Sequence, residues 1–332
     1  MGSEMCIRDS PSTHARAPGA RATALRPVNT PDAMTCAPFE PLLQCPAPAK
    51  LNLLLHVTGR RSDGYHLLET VFQLINLFDW LDFEPRDDGQ IVASSGDWPI
   101  EQDLAVRAAH LLRATAGAND HTDFGVTIRI QKQIPVGGGL GGGSSDAATT
   151  LLALNQLWRL HWPIDRLAAL AAQLGADVPV FVRGQNAYAV GIGEELQPID
   201  LPERHYVVIE PPIQVPTAVV FADPNLTRNT KPLTLEGFAR EQSVATHRLP
   251  GHNDLQAPVL QRFTAVAKAL SALQEAAHDF GVDASAVRMS GSGACVFAAT
   301  DSQSIAASIA EAVAGAGVGR VHRCASLRLS LI

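Results

Sequence analysis

Cysteine is scarce in this sequence and follows no pattern. The five residues, Cys6, Cys36, Cys45, Cys295 and Cys324, are odd in number, scattered, and form no Cys-x-x-Cys. A disulfide framework and a zinc site are thereby set aside, and a reducing cytoplasm is the expected location. Long apolar runs are missing too: no uncharged stretch approaches the ~18 residues of a membrane span, so no membrane partner is expected. Charge is sparse, with 18% of residues charged, below the roughly 25% of typical soluble domains. The net charge of −7 comes without a Lys/Arg cluster, which argues against a nucleic-acid partner. A phosphate ligand stays open, because backbone N–H groups bind anions without basic side chains.

What is present is a chain of 332 residues, 46% of them hydrophobic, enough for a large core and about two domains. Residues 1–33 stand apart. They are rich in Ser, Thr, Ala, Arg and Pro, without hydrophobic periodicity and without the apolar centre of a secretory signal. An Arg-rich transit peptide is the other reading, and the absence of an amphipathic pattern and the helix-breaking prolines weigh against it. The stretch 1–44 is therefore read as a non-native or disordered extension, with a native start near Met34.

Alternation at Leu51, Leu53, Leu55 and Val57 predicts a strand, and Gly59–Gly64 predicts a turn. Further strands are expected at Trp80–Glu84, Gln90–Ser94 and Val126–Ile130, with a helix over Asp103–Ala116. A glycine-rich loop follows. Next come a helix from about Ser144 to Trp158, with Ser144, Ser145 and Asp146 in its first turn, and a short helix Asp165–Leu174 stopped by Gly175. The second half predicts strands at Tyr206–Glu210, Val287–Met289, Ala294–Ala299 and Arg320–Leu329. It also predicts helices at Leu255–His278, started by Asn253 or Asp254, and at Ser302–Ala314. Strands and helices mix without strict βαβ spacing, so the expected class is α+β, in two lobes divided near residue 200. The domains read as 45–200 and 201–332.

The densest signal is Pro135-Val-Gly-Gly-Gly-Leu-Gly-Gly-Gly-Ser-Ser145, with six glycines in seven positions between a strand and a helix. Glycine in regular structure costs roughly 0.5–1 kcal/mol against alanine, so six would forfeit about 3–6 kcal/mol unless the loop needs them. Positive φ and close backbone approach to an anion are what glycine alone supplies, and a helix N-terminus offers N–H groups to a polyphosphate. A plain hinge is the bland alternative. A Walker A loop fails, because no Lys-Ser or Lys-Thr follows. Gly137-x-Gly139-x-x-Gly142 fits a dinucleotide fingerprint formally, yet Asp165, near the expected acidic position, opens a helix.

Phosphoryl transfer to a hydroxyl needs a base or orienting group and a cation. Lys50 stands at the entrance of the first apolar strand, with Asn52 on its face; a strand-end lysine reaching to water is the equal alternative. Asp177 is a single carboxylate in an apolar stretch, a candidate base or an N-cap. Tyr65 and His66 can stack on and hydrogen-bond a base, or merely end a hairpin. Ser290-Gly-Ser-Gly293 is a second glycine turn able to close on the phosphates or the substrate, weak when taken alone.

These segments resemble the GHMP kinase superfamily, the group of galactokinase, homoserine kinase and mevalonate kinase. The resemblance rests on Pro48–Leu53, Gly59–His66, Pro135–Ala148, Gly175–Pro179, Asn253–Leu255 and Met289–Cys295, and it runs from about Cys45 to the C-terminus. It implies a two-lobed fold, the first lobe like domain 2 of ribosomal protein S5 and the second ferredoxin-like. It implies ATP on Pro135, Val136, Gly137, Gly138, Gly139, Leu140, Gly141, Gly142, Gly143, Ser144 and Ser145, with Mg2+ on unassigned ligands. It implies Asp177 as base and Lys50 as its orienting cation. The Asp-Gly-Tyr-His segment is similar to the branch whose small-molecule alcohol carries a cytidylyl group. Tyr65, His66 and Ile192 would hold the cytosine there, with Asn52, Thr217 and Phe221 nearby. Homoserine kinase or a catalytically dead nucleotide-binding module are the alternatives, and the assembly is expected to be a monomer or homodimer.

Overall fold

The alternation at Leu51–Val57 is the middle of a much longer element. In the computed structural model, which describes residues 40–94, 103–117, 125–244 and 248–327, strand β1 spans Leu42–Arg60 and β2 spans His66–Arg86. The extension up to residue 39 lies outside the described residues, and β1 begins ahead of residue 45, with Leu42 opposite Phe83. The turn between the strands is the predicted one: Gly64 has φ +93° and Asp63 Oδ1 accepts from Tyr65 N. The strand expected at Trp80–Glu84 is the end of β2. Residues 69–75 are buried on both faces, so no alternation marks the strand's beginning. The two strands pair antiparallel along their length, with register shifts, one of them between Asn52 and Leu54.

Around this hairpin the first lobe is completed by β3 (Ile91–Ser94), α1 (Leu104–Ala116), β4 (Gly125–Gln131), α2 (Gly142–Leu157), α3 (Ile164–Ala171), α4 (Val178–Arg183), β5 (Ala187–Val190) and β6 (Glu195–Pro198). Strand order is β3-β4-β2-β5-β6, with β1 also on β2. Leu112, Leu151, Leu154 and Phe181 of the helices pack on Phe83 and Ile128 of the sheet. The second lobe comprises β7 (His205–Glu210), α5 (Thr217–Phe221), α6 (Leu235–Val244), α7 (Gln256–Arg262), α8 (Thr264–Asp279), β8 (Val287–Met289), β9 (Val296–Thr300), α9 (Gln303–Ala314) and β10 (Arg320–Ala325). Its order β10-β7-β9-β8 is antiparallel throughout. With α8 and α9 as crossovers, this is the expected ferredoxin-like arrangement. No helix among the described residues is long and apolar enough to cross a membrane.

Several local expectations are corrected. Helix α2 starts inside the glycine run, because Gly141 at φ +74° serves as N-cap; neither serine caps it. Helix α3 stops at Ala171 with Ala172 as C-cap, ahead of Gly175. The single helix over Leu255–His278 is two, α7 and α8, since Phe263 takes an extended φ −120°, ψ 88° between them. The last strand ends at Ala325; residues 328–329 lie outside the described residues. Elements β5, β6, α5 and α6 were not expected; β5, β6 and α5, of four or five residues, are too short for a periodic signal. The lobes are tied by buried Arg288, which donates to Leu53 O (2.7 Å) across the divide and to Leu249 and Pro250 carbonyls.

Candidate active site

Lys50 is 3% exposed, so its ammonium does not reach out to water. Its Nζ donates to Asn52 Oδ1 at 2.5 Å and Gly139 O at 3.2 Å, and it is ion-paired with Asp177 Oδ2 at 3.2 Å. Asn52 is held in turn. Its Nδ2 donates to Thr70 Oγ1 (2.8 Å), whose hydroxyl donates to Leu54 O (2.6 Å), and its N donates to Ser290 Oγ (3.2 Å). Asp177 does occupy the N-cap position of α4, but its carboxylate caps nothing. The carboxylate faces Lys50 and a cavity instead, with its side chain 34% exposed.

The glycine loop is interlocked with the second glycine turn. Gly137 O accepts from Ala294 N (3.3 Å), Gly138 O from Cys295 N (3.1 Å) and Gly139 O from Ser290 Oγ (3.1 Å). The loop is also fixed to β1, where Lys50 N donates to Leu140 O (2.9 Å). Two of the glycines answer to the protein itself. A Cβ on Gly139 (φ +75°) would lie 2.1 Å from Ser290 O, and one on Gly141 (φ +74°) 2.8 Å from the Phe181 ring. Gly143 is different, meeting only Leu104 Cδ1 at 3.6 Å. The first N–H groups of α2, from Gly142 to Ser144, have no intrahelical partner and no side-chain cap.

Two concavities share this loop. One, of about 500 Å³, is lined by Asp103, Leu104, Lys132, the run Pro135–Ser144 and Asp146. The other, of about 320 Å³, is lined by Lys50, Asn52, Thr70, Phe72, Asp177, Ile192, Phe221 and Gly291–Gly293. Gly137, Gly139, Gly141 and Thr217 border both. The loop is thus a partition, with backbone donors at the start of a helix on one side and a lysine–carboxylate pair on the other.

The expected site residues fall into place unevenly. Lys50, Asn52, Asp177, Ile192, Thr217 and Phe221 converge on the smaller cavity, and Thr217 Oγ1 lies 2.8 Å from Ser292 Oγ. His66 stacks on Phe221 with ring centroids 5.1 Å apart. Tyr65 is 61% exposed on the turn and lines neither cavity. Ser145 is fully buried beneath the loop and does not line the larger cavity. Sequence reasoning missed Thr70, Phe72 and Lys132. Lys132 Nζ bridges Asp79 Oδ2 (2.5 Å) and Asp146 Oδ2 (2.6 Å). Burial raises the Asp146 carboxyl, Lys132 opposes that, and the nearby Asp79 charge adds to it, leaving the group well above the ordinary carboxylate range. A charged residue just ahead of Pro135 was the only signal for Lys132, and nothing local tells which acids it meets.

A lysine-held carboxylate across a glycine partition from a helix N-terminus, in a cleft between an S5-like and a ferredoxin-like lobe, defines a small-molecule kinase of the GHMP type. Two family models match, GHMP kinases N terminal domain over residues 103–185 and GHMP kinases C terminal over residues 247–319. The chain is 52% identical over 262 residues to a 4-diphosphocytidyl-2-C-methyl-D-erythritol kinase of Paraburkholderia phytofirmans, covering 78% of this chain and 85% of that one. A protein of the same name from Ralstonia pickettii is 49% identical over 289 residues, covering 86% and 95%. A crystal structure of 4-(cytidine 5'-diphospho)-2C-methyl-D-erythritol kinase superposes with a TM-score of 0.72 at 36% identity, covering 87% of this chain and all of that one. The chain belongs to the 4-diphosphocytidyl-2-C-methyl-D-erythritol kinase family.

Proposed function

We infer that phosphoryl transfer takes place across the glycine partition, from ATP in the larger cavity to an alcohol in the smaller one. The enzyme phosphorylates 4-diphosphocytidyl-2-C-methyl-D-erythritol with ATP, giving the 2-phosphate and ADP, in the methylerythritol phosphate route to isoprenoid precursors. The observation that carries the site assignment is the Lys50–Asp177 pair, 3.2 Å apart on the wall of the acceptor cavity.

In this reading the polyphosphate lies along Pro135–Ser145. The free N–H groups at the start of α2 and the positive end of its dipole hold its charge. The nucleoside lies toward the end of the same cavity lined by Leu104 and Lys132. Asp177 accepts the proton of the attacking hydroxyl, and the oxygen that loses it bonds to the terminal phosphorus as the bond to the ADP oxygen breaks. Lys50 keeps the carboxylate turned into the cavity and stabilises negative charge on the transferred group. The cytidylyl end lies toward Ile192, Phe221 and the His66 ring stacked on Phe221, with Tyr65 exposed on the turn beyond the cavity lining.

The GHMP kinase fold carries ATP- and magnesium-dependent transfer in general. The residues present suit that ion. Asp146, which lines the larger cavity, has its Oδ1 buried without a hydrogen-bond partner, and Ser145 Oγ is likewise buried and unpartnered beneath the loop; carboxylate and hydroxyl oxygens are the donors magnesium takes alongside phosphates. Bound there, magnesium would neutralise charge on the phosphates. Among the described residues there is no cluster of His, Cys, Asp or Glu that could form a separate metal site. The lobe boundary is placed near residue 200, in keeping with sheets that end at Pro198 and resume at His205.

Asp177→Asn tests the assignment. ADP release with the cytidylyl substrate should fall by about 10²–10⁴ in kcat while ATP affinity holds, since the amide keeps the shape and loses the base. A variant that turns over like the parent would remove Asp177 from the reaction.

A further inference from the structure

One arginine holds the His66 ring and the main chain of Phe221, the two partners of the stack. Arg228 donates from Nε to His66 Nε2 at 3.1 Å. Its terminal nitrogens donate to the carbonyl oxygens of Phe221 (3.1 Å), Asp223 (2.7 Å) and Leu226 (3.0 Å). All these acceptors are uncharged. The segment carrying Arg228 is itself pinned to the first lobe. Thr230 N donates to Val57 O (3.0 Å), and Leu233 N and Thr234 N donate to the Glu69 carboxylate (2.9 and 2.8 Å).

A guanidinium accepts no hydrogen bond and keeps its proton at any pH a protein survives. The imidazole nitrogen facing it must therefore be the acceptor, and the ring proton must sit on Nδ1. A proton on Nε2 would set N–H against N–H. Burial first, then the charges of Arg228 and Arg60, hold His66 below the ordinary histidine range. Both arginines are cations, and their charge favours the neutral form of the ring.

We propose that Arg228 is a specificity-determining positioning residue: it fixes His66 as the Nδ1–H tautomer and so makes the ring a one-way hydrogen-bond donor to the pyrimidine. Cytosine N3 is an acceptor and matches that donor. Uracil carries a hydrogen on N3 and leaves two donors facing each other, one of them unsatisfied in a partly buried site. The preference for a cytidylyl over a uridylyl substrate thus comes from a residue one hydrogen bond behind the base. The proposal rests on the reading that His66 faces the pyrimidine, and the two fail separately.

Nitrogen-15 NMR of the full chain labelled at histidine reads the tautomer, with His66→Ala assigning the signal. The parent should show a protonated Nδ1 and a bare Nε2 near neutral pH. A proton on Nε2, or titration at the ordinary histidine value, overturns the proposal without any arginine variant. In Arg228→Met the ring should exchange between tautomers. The ratio of kcat/KM for the cytidylyl substrate over its uridylyl analogue should fall by about tenfold or more, the worth of one mispaired polar contact. If His66→Ala loses that preference and Arg228→Met keeps it, the positioning role is wrong and the placement of His66 stands. If neither variant changes the preference while the parent tautomer is as expected, His66 does not read the base, and the proposal falls with that placement.

Discussion

Lys50 shows how one side chain can be both buried and charged. Its ammonium is shielded from water, and a buried cation is tolerated only when its donors are met and a counter-charge is near. Asn52, Gly139 and Asp177 meet those terms. All three line the smaller cavity with Lys50, and of the three only Asp177 is an anion. Lys50→Met keeps the length and apolar stem of the side chain and removes the charge. The variant should fold, since replacing a buried ion by a hydrophobe of similar size is commonly tolerated. Its kcat should drop by about 10²–10³, the scale set by losing one preorganised electrostatic contact. Thermal unfolding beside a steady-state assay checks both halves, and a soluble variant with parental kcat would contradict the role given to Lys50. The residue types at positions 50 and 177 were legible in the sequence, each with an ordinary structural alternative. What no local pattern carried is that the two meet, because they lie on different elements far apart in the chain.

At the scale of elements, the glycine loop and the Ser290–Cys295 turn form one piece. Their contacts explain why the glycines are not equivalent. Alanine at 139 would need its Cβ at 2.1 Å from a backbone oxygen, with φ at +75°, and neither can relax without parting the loop from the turn. Gly139→Ala should therefore cost about 2–5 kcal/mol, combining overpacking with left-handed strain. Gly143→Ala meets one side-chain carbon at 3.6 Å within α2, and it should fold as the parent does while weakening ATP binding from the cavity side. Denaturant unfolding and nucleotide titration on the pair separate the two kinds of glycine; equal stability of both variants would refute the distinction. The composition pointed to an anion loop, but it could not separate the glycines that a ligand would need from those that the fold needs. The part owed to protein crowding was hidden because the turn that crowds the loop lies in the other lobe.

Across the whole molecule, the lobes are joined by polar groups as well as by shared apolar core. Glu69 on β2 accepts from His56 Nδ1 (2.9 Å) and Tyr188 OH (2.7 Å) of its own lobe and from Leu233 N and Thr234 N of the other. Burial alone would raise its carboxyl, but those hydrogen bonds win and hold it at about 2 against an ordinary 4.5. A depressed carboxyl stabilises the fold above its unfolded value, and that contribution is lost as pH falls from about 4.5 toward about 2. The shift corresponds to about 3 kcal/mol. Glu69→Gln should accordingly be less stable than the parent by about that amount at pH 7, and the gap should close on acidification through this window. Urea unfolding at pH 7 and in dilute acid measures it. A constant gap across pH would show that the charge on Glu69 plays no part in joining the lobes.

The sequence by itself determined the chemistry on offer: a glycine run at a helix start, a lysine and a carboxylate in apolar settings, and a mixed α+β chain. Those follow from residue type and nearest neighbours along the chain. The tertiary structure alone decided which oxygens surround Lys50, which glycines the protein itself requires, that Arg228 meets His66, and that Glu69 joins the two lobes. Each of these depends on segments distant in sequence, whose meeting is set by the packing of two lobes and leaves no periodic trace in either segment.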